Sequence, residues 1–109
     1  MAICINLRYY GKNGNARKFA NEIIESGTID LIRAEKGNIR YEYFESLSNP
    51  EEILLVDCWE NQEAIDNHHA SRMMQTIITL REKYDLHMEV ERYLSDDFTH
   101  EKDNRFIRK

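Results

Sequence analysis

The chain has no apolar run approaching the roughly 20 residues that a membrane span needs, no run of Lys or Arg to neutralise a row of phosphates, and no Gly-x-Gly-x-x-Gly fingerprint. The first absence speaks against a membrane protein. The second speaks against nucleic acid and anionic membrane as partners, and 15 basic against 20 acidic residues, a formal net charge of -5, points the same way. The third speaks against flavin or nicotinamide, since the Gly11/Gly14 pair lacks the strand-turn-helix phosphate spacing. Cysteine is scarce as well. Cys4 and Cys58 each sit inside a strand-like run with no Cys-x-x-Cys partner or metal-ligand neighbour, so they read as small buried apolar residues and not as a disulfide framework. No basic segment joined to an apolar stretch and a cleavage site opens the chain, and a soluble, cytoplasmic protein is expected.

What is present fits one domain, because 109 residues with 41% hydrophobic content bury a single modest core. Residues 2–10 alternate, with Ile3, Ile5, Leu7 and Tyr9 on one face and Cys4, Asn6 and Arg8 on the other, which predicts a strand. After the turn GKNGN, Asn15 serves as a candidate N-cap, and Ala16, Phe19, Ala20 and Ile23 recur at helical spacing. With Gly27 interrupting and Gly37 closing the pattern, a broken helix is predicted over about 15–35. Residues 38–46 and 53–59 then form a hairpin around Pro50. Asn61 caps a helical region that Ser71 restarts and that ends near Asp85, and residues 86–94 alternate as a fourth strand.

The order β-α-β-β-α-β predicts an α+β, ferredoxin-like fold over 1–95, an antiparallel sheet with its helices on one face, and a charged tail over 96–109. The third strand carries Ile53, Leu55 and Trp59 on one face and Leu54, Val56 and Cys58 on the other. Such an uncovered apolar face needs a partner, most simply an identical subunit, so a homodimer through the sheet faces is expected. Phe98, Phe106 and Ile107 of the tail are too few to cover the face alone, although Phe106 and Ile107 offer anchors for docking on the partner subunit.

Two stretches, RAEKGNIRYEYF (33–44) and NPEEILLVDCWENQEAIDNHHASRMM (49–74), resemble the antibiotic biosynthesis monooxygenase domain family, which includes quinol monooxygenase-like members. Glu35, Gly37 and Tyr41 match that family's Glu-x-Gly-x-x-x-Tyr stretch, Asp57 and Trp59 its acid-x-Trp pair, and Glu63, Ala64 and His68 its following helix. The resemblance covers about 2–95. It implies a homodimeric α/β barrel with a cavity between sheet and helices, and cofactor-independent oxygenation of an electron-rich aromatic by dioxygen.

His68 is the foremost candidate. It and His69 lie three and four residues beyond Ile65, so ideal helix geometry puts both near the apolar stripe. An imidazole titrates near neutrality and suits a general base for a phenolic or quinol hydroxyl, while a buried His bonded to backbone or carboxylate is the plain structural alternative. A metal is not expected: adjacent helical histidines diverge by about 100°, and Asp66 with His69 finds no third ligand. In the role that the resemblance implies, Asp57 orients His68, while Trp59, Tyr41 and Tyr43 wall a planar substrate and exclude water. Packing of a core or dimer interface is the default for those rings. Asn6 and Arg8 form a solvated pair or, beside a cavity, donors to an oxyanion. Arg72 and His69 complete the candidate substrate-binding set.

Haem-degrading relatives share the fold and use an Asn on the first strand; Asn6 matches, but His68 stands where they place a Trp and Ile78 roughly where they place a His. A sugar-phosphate-isomerising relative needs a basic pocket, for which Arg8, Arg40 and Arg72 are available. A non-catalytic small-molecule-binding dimer is the rival from another class, because fold alone does not fix function.

Overall fold

A computed structural model describes residues 1–97 and 100–109; Phe98, one of the tail's candidate anchors, lies outside the described residues. The chain runs β1 (Ile3–Tyr10), α1 (Asn15–Glu25), α2 (Thr28–Arg33), β2 (Asn38–Glu45), β3 (Glu52–Trp59), α3 (Gln62–His69), α4 (Met73–Lys83), β4 (His87–Leu94) and α5 (Glu101–Asn104). The four strands form one antiparallel sheet in the order β2-β3-β1-β4, with α1 to α4 packed on one face. This is the expected β-α-β-β-α-β topology, each helical region being broken once.

Local chemistry places the breaks. Gly27 at φ 80 ends α1 and opens α2, a left-handed conformation that glycine adopts without steric cost. Between α3 and α4 the Ser71 hydroxyl donates to the His68 carbonyl at 2.6 Å, drawing the chain out of the helix, and Arg72 takes the cap position expected of Ser71. Asn61 caps α3 as expected, its side chain accepting from the Ala64 N–H at 2.9 Å. Asn15 does not cap α1. Gly14 holds that position in the left-handed region, freeing the Asn15 amide to donate to the Tyr84 carbonyl across the layer. The tail is also more ordered than its composition implies, since α5 forms a single turn whose His100 ring accepts from the Lys102 N–H.

The core lies between sheet and helices. Ile3, Ile5 and Tyr9 of β1, Tyr41 of β2, and Ile53, Leu55 and Trp59 of β3 meet Phe19, Ile23, Ile32, Ile65 and Ile77 from the helices. Burying each large side chain contributes roughly 1.5–3 kcal/mol. The opposite face shows Cys4, Asn6, Arg8, Phe44, Leu54 and Val56, all half-buried, with Cys58 buried between them. On β4 the alternation continues but the burial does not, for Met88, Val90 and Leu94 are exposed at the sheet edge.

The cysteines correct the sequence reading. The β1–β3 register sets Cys4 directly opposite Cys58, with Cα atoms 4.1 Å apart, and the two are joined as a disulfide. Period-two alternation tells which face a cysteine occupies but not which residue faces it across the ladder, so spacing alone missed the pair.

Gly37 sits where the loop before β2 crosses α3. Its φ is 87, and a Cβ built there would stand 2.6 Å from the Ala64 Cβ. Gly37→Ala should therefore destabilise the fold by roughly 2–4 kcal/mol, combining left-handed strain with overpacking. Gly27→Ala, with open space around the same kind of φ, should cost only about 1 kcal/mol. Urea denaturation of the two variants provides the comparison.

Candidate functional site

His68 lies on the last turn of α3, 3% exposed. Its Nδ1 is 2.7 Å from Glu35 Oε2, its ring stacks on Trp59 with centroids 4.7 Å apart, and Tyr41 meets it edge-on at 5.8 Å. A carboxylate can only accept a hydrogen bond, so Nδ1 carries the proton and Nε2 keeps its lone pair. Burial pushes the imidazole below its ordinary value, against the opposing pull of Glu35. The result is a neutral ring with its basic nitrogen free of any hydrogen bond among the described residues.

Glu35 is the partner that the sequence reading did not assign. It lies 33 residues from His68 in the loop after α2, with its side chain 17% exposed. The only signal available was its place in the family stretch, which carries no role. Asp57, expected to orient His68, does something else: its carboxylate accepts the indole N–H of Trp59, two residues along the same strand face. Burial, opposed by that hydrogen bond and reinforced by the charge of Glu35, lifts the Asp57 carboxyl from 3.8 to about 6.

Around these groups stand three phenols. Tyr41 pairs with Asp57 across the β2–β3 ladder, and Tyr43 lies next along β2, its ring edge-on to Tyr41 at 6.0 Å. Tyr9 reaches the same interior beside Phe19, with centroids 4.9 Å apart. Burial holds all three protonated. The Tyr43 hydroxyl is enclosed beside the Tyr41 phenol and makes no well-formed hydrogen bond among the described residues, an arrangement that costs about 1–3 kcal/mol unless something satisfies it.

The structure thus brings together His68, Asp57, Trp59, Tyr41 and Tyr43 and adds Glu35. It also keeps the ring of His69 beside that of His68, with centroids 5.7 Å apart, but does not bring Asn6, Arg8 or Arg72 to them. Asn6 and Arg8 point from the opposite face of the sheet, where Arg8 is paired with Glu52 and Glu91. His69 is exposed, because the buried stripe of α3 runs through Ala64, Ile65 and His68 and the next residue falls at its edge. Arg72 is exposed between α3 and α4, and Arg40 is paired with Glu42, so Arg8, Arg40 and Arg72 do not form one basic pocket. No three His, Cys, Asp or Glu side chains converge as a metal site among the described residues. Two recesses flank the segment between Glu35 and Tyr41. One of about 130 Å³ is lined by Lys36, Gly37, Asn61 and Ala64, and one of about 380 Å³ by Arg33 and residues 38–42.

Residues 2–80 match the family model described as antibiotic biosynthesis monooxygenase. The chain belongs to this family. A comparison with curated proteins gives no match. Among solved structures, a candidate antibiotic biosynthesis monooxygenase from Deinococcus radiodurans is 19% identical with a TM-score of 0.75, covering 92% of this chain and 97% of that one. A conserved protein from Methanosarcina mazei Go1 is 25% identical with a TM-score of 0.75, covering 88% and 94%. SnoaB from Streptomyces nogalater, a cofactor-independent oxygenase, is 11% identical with a TM-score of 0.73, covering 89% and 95%. At such identities the structural likenesses establish the fold, and membership of the monooxygenase family rests on the match over 2–80.

Asp57 sets a pH dependence. Its folded value is raised, so between about pH 4 and pH 6 the unfolded chain releases a proton that the folded chain retains, and stability falls as pH rises through that window. The loss should reach about 2–3 kcal/mol. Asp57→Asn should flatten this slope, as read from thermal unfolding midpoints between pH 4 and pH 7.

Proposed function

We propose that this family member is a cofactor-independent monooxygenase that acts with dioxygen on a small electron-rich aromatic of the quinol type, and that it works as a homodimer. The observation carrying the reading is the neutral His68, oriented by Glu35 through Nδ1 and stacked on Trp59, with Nε2 available to take a proton. A phenolic hydroxyl that gives its proton to Nε2 becomes an electron-rich anion able to pass an electron to dioxygen. Glu35 offsets the positive charge that His68 then acquires. Trp59, Tyr41 and Tyr43 supply a planar, water-excluding wall, and the enclosed Tyr43 hydroxyl is a donor for a second oxygen of the substrate. Asp57 acts through Trp59, fixing the indole plane on which the imidazole lies. In this reading Glu35 takes the orienting role that the sequence suggested for Asp57.

The apolar Leu54, Val56 and Phe44 on the open face of the sheet support pairing with a second copy, and the exposed Phe106 and Ile107 of the tail give that copy further anchors. With a panel of hydroquinones and polyphenols, oxygen uptake should be measurable and should fall about tenfold or more in His68→Ala. Glu35→Gln should move the acid limb of the pH–rate profile to lower pH, since the charge that raises the His68 value is gone. Uptake unchanged in His68→Ala removes the base from the scheme, and no uptake with any substrate favours a non-catalytic binder. By sedimentation the protein should show twice the chain mass, and Val56→Asp should halve it.

A further inference from the structure

The fixed charges around His68 are of one sign. Glu35 holds its carboxylate against the His68 N–H, and Asp57 accepts the N–H of the indole on which the imidazole stacks. The field of Asp57 reaches the Tyr41 and Tyr43 phenols, and that of Glu35 reaches Asp57. Among the described residues no Lys or Arg pairs with either carboxyl. The guanidinium groups on the same side of the sheet are engaged elsewhere. Arg33 donates its Nε–H to the Tyr41 carbonyl from an exposed position, and Arg92 reaches Gln62. Arg81, paired with Glu82, acts on the Tyr9 phenol, four residues along β1 from the Ile5 that faces Asp57. The small recess beside the Gly37 crossing continues the pattern, with Glu60 and Glu63 against Lys36 alone.

We infer that the site beside His68 selects its substrate by charge, taking a phenol or hydroquinone whose ring carries no carboxylate, sulfonate or phosphate. The inference rests on the proposed oxygenation and names the class of substrate within it. When the phenol gives its proton to Nε2, the ring becomes an anion and His68 a cation, so the sum of charges in the site is unchanged. A fixed anionic group on the same ring adds a charge without a counterpart, facing Glu35 and Asp57 where water screens little. Two like charges about 8 Å apart at an effective dielectric constant of about 20 weaken binding roughly 30-fold. An uncharged substituent of the same size meets no such repulsion.

The test compares gentisate, a hydroquinone bearing a carboxylate, with gentisamide, its uncharged amide, each binding to the intact protein near neutral pH without oxygen. The chain has one tryptophan, and its stack with His68 makes quenching of its fluorescence a report of occupancy at that point. Gentisamide should bind about tenfold or more tightly than gentisate. Glu35→Gln should narrow the gap about threefold or more by raising the affinity for gentisate, and Asp57→Asn should act in the same direction. If either variant fails to fold, the other and the wild-type ratio decide. Gentisate bound as tightly as gentisamide, with quenching, overturns the inference. So does a gap that neither variant narrows, since shape and not charge then sets it. Gentisate detected by calorimetry but silent at Trp59 is held outside the interior, in the recess lined by Arg33 and Arg40, and supports the inference. Oxygen uptake separates the two readings. Uptake with gentisate as fast as with gentisamide overturns the charge rule and leaves the oxygenase, while preferential binding of gentisamide without uptake leaves the charge rule and overturns the oxygenation. Failure of both compounds to reach Trp59 overturns both.

Discussion

The stack of His68 on Trp59 joins the helix layer to the sheet inside the core, and much of the surrounding architecture follows from it. Burying an imidazole takes a polar ring out of water, which is tolerable only if the ring stays neutral and its N–H is bonded. Glu35 meets that condition from a loop, and the loop reaches it because Gly37 lets the backbone pass against Ala64 of α3. The Glu60 N–H donates to the Gly37 carbonyl at 2.8 Å, tying the end of β3 to the same loop. A side chain at position 37 would lift the loop off the helix, so glycine at this crossing is a condition for the Glu35–His68 bond.

Strand β3 organises the sheet around that stack. It pairs with both β1 and β2, so its helix-facing residues are enclosed from either side while alternate residues meet the open face. Within three consecutive positions the chain places a carboxyl with a raised value, a bonded cysteine and a tryptophan whose N–H that carboxyl accepts. The two faces carry different chemistry through the same backbone. A change at Cys58 cannot be isolated from Asp57 and Trp59, because the backbone torsions that orient one orient the others.

The topology was legible in the residues because alternation and helical spacing are local signals. Ile3, Ile5 and Tyr9 announced β1, Phe19 and Ile23 announced α1, and Asn61 marked the start of α3 with its cap. Pairings across the fold were not legible in the same way. Whether Cys4 meets Cys58 depends on strand register, and whether Glu35 meets His68 depends on how closely a loop approaches a helix; neither leaves a trace in spacing. His69 shows how a helical wheel depends on where its stripe is centred: with Ala64, Ile65 and His68 buried, His69 falls at the edge, exposed but still against the His68 ring. Alternation puts Asp57 on the helix-facing side of β3, but its hydrogen-bond partner there is Trp59, two residues along the same face, while His68, arriving from another layer, bonds Glu35.

The distribution of unfavourable burial gives the last step. Between α1 and α4 the interior is apolar, with Phe19, Ile23 and Ile77 buried, and the Tyr84 hydroxyl reaches out to donate to Glu22 at 2.5 Å. On the β2–β3 side the fold encloses a carboxyl held up at about 6, a neutral imidazole and a phenol that makes no well-formed hydrogen bond among the described residues. Each opposes folding, and apolar residues of similar size at those positions would pack at lower cost. Selection for stability alone does not gather three such groups along the β2–β3 side of one interior. Their common location supports the proposed site beside His68, where a ligand would supply the hydrogen bonds that the buried groups lack; in the surface recess lined by Arg33 and Arg40 the guanidinium groups already have partners in the Tyr41 carbonyl and Glu42.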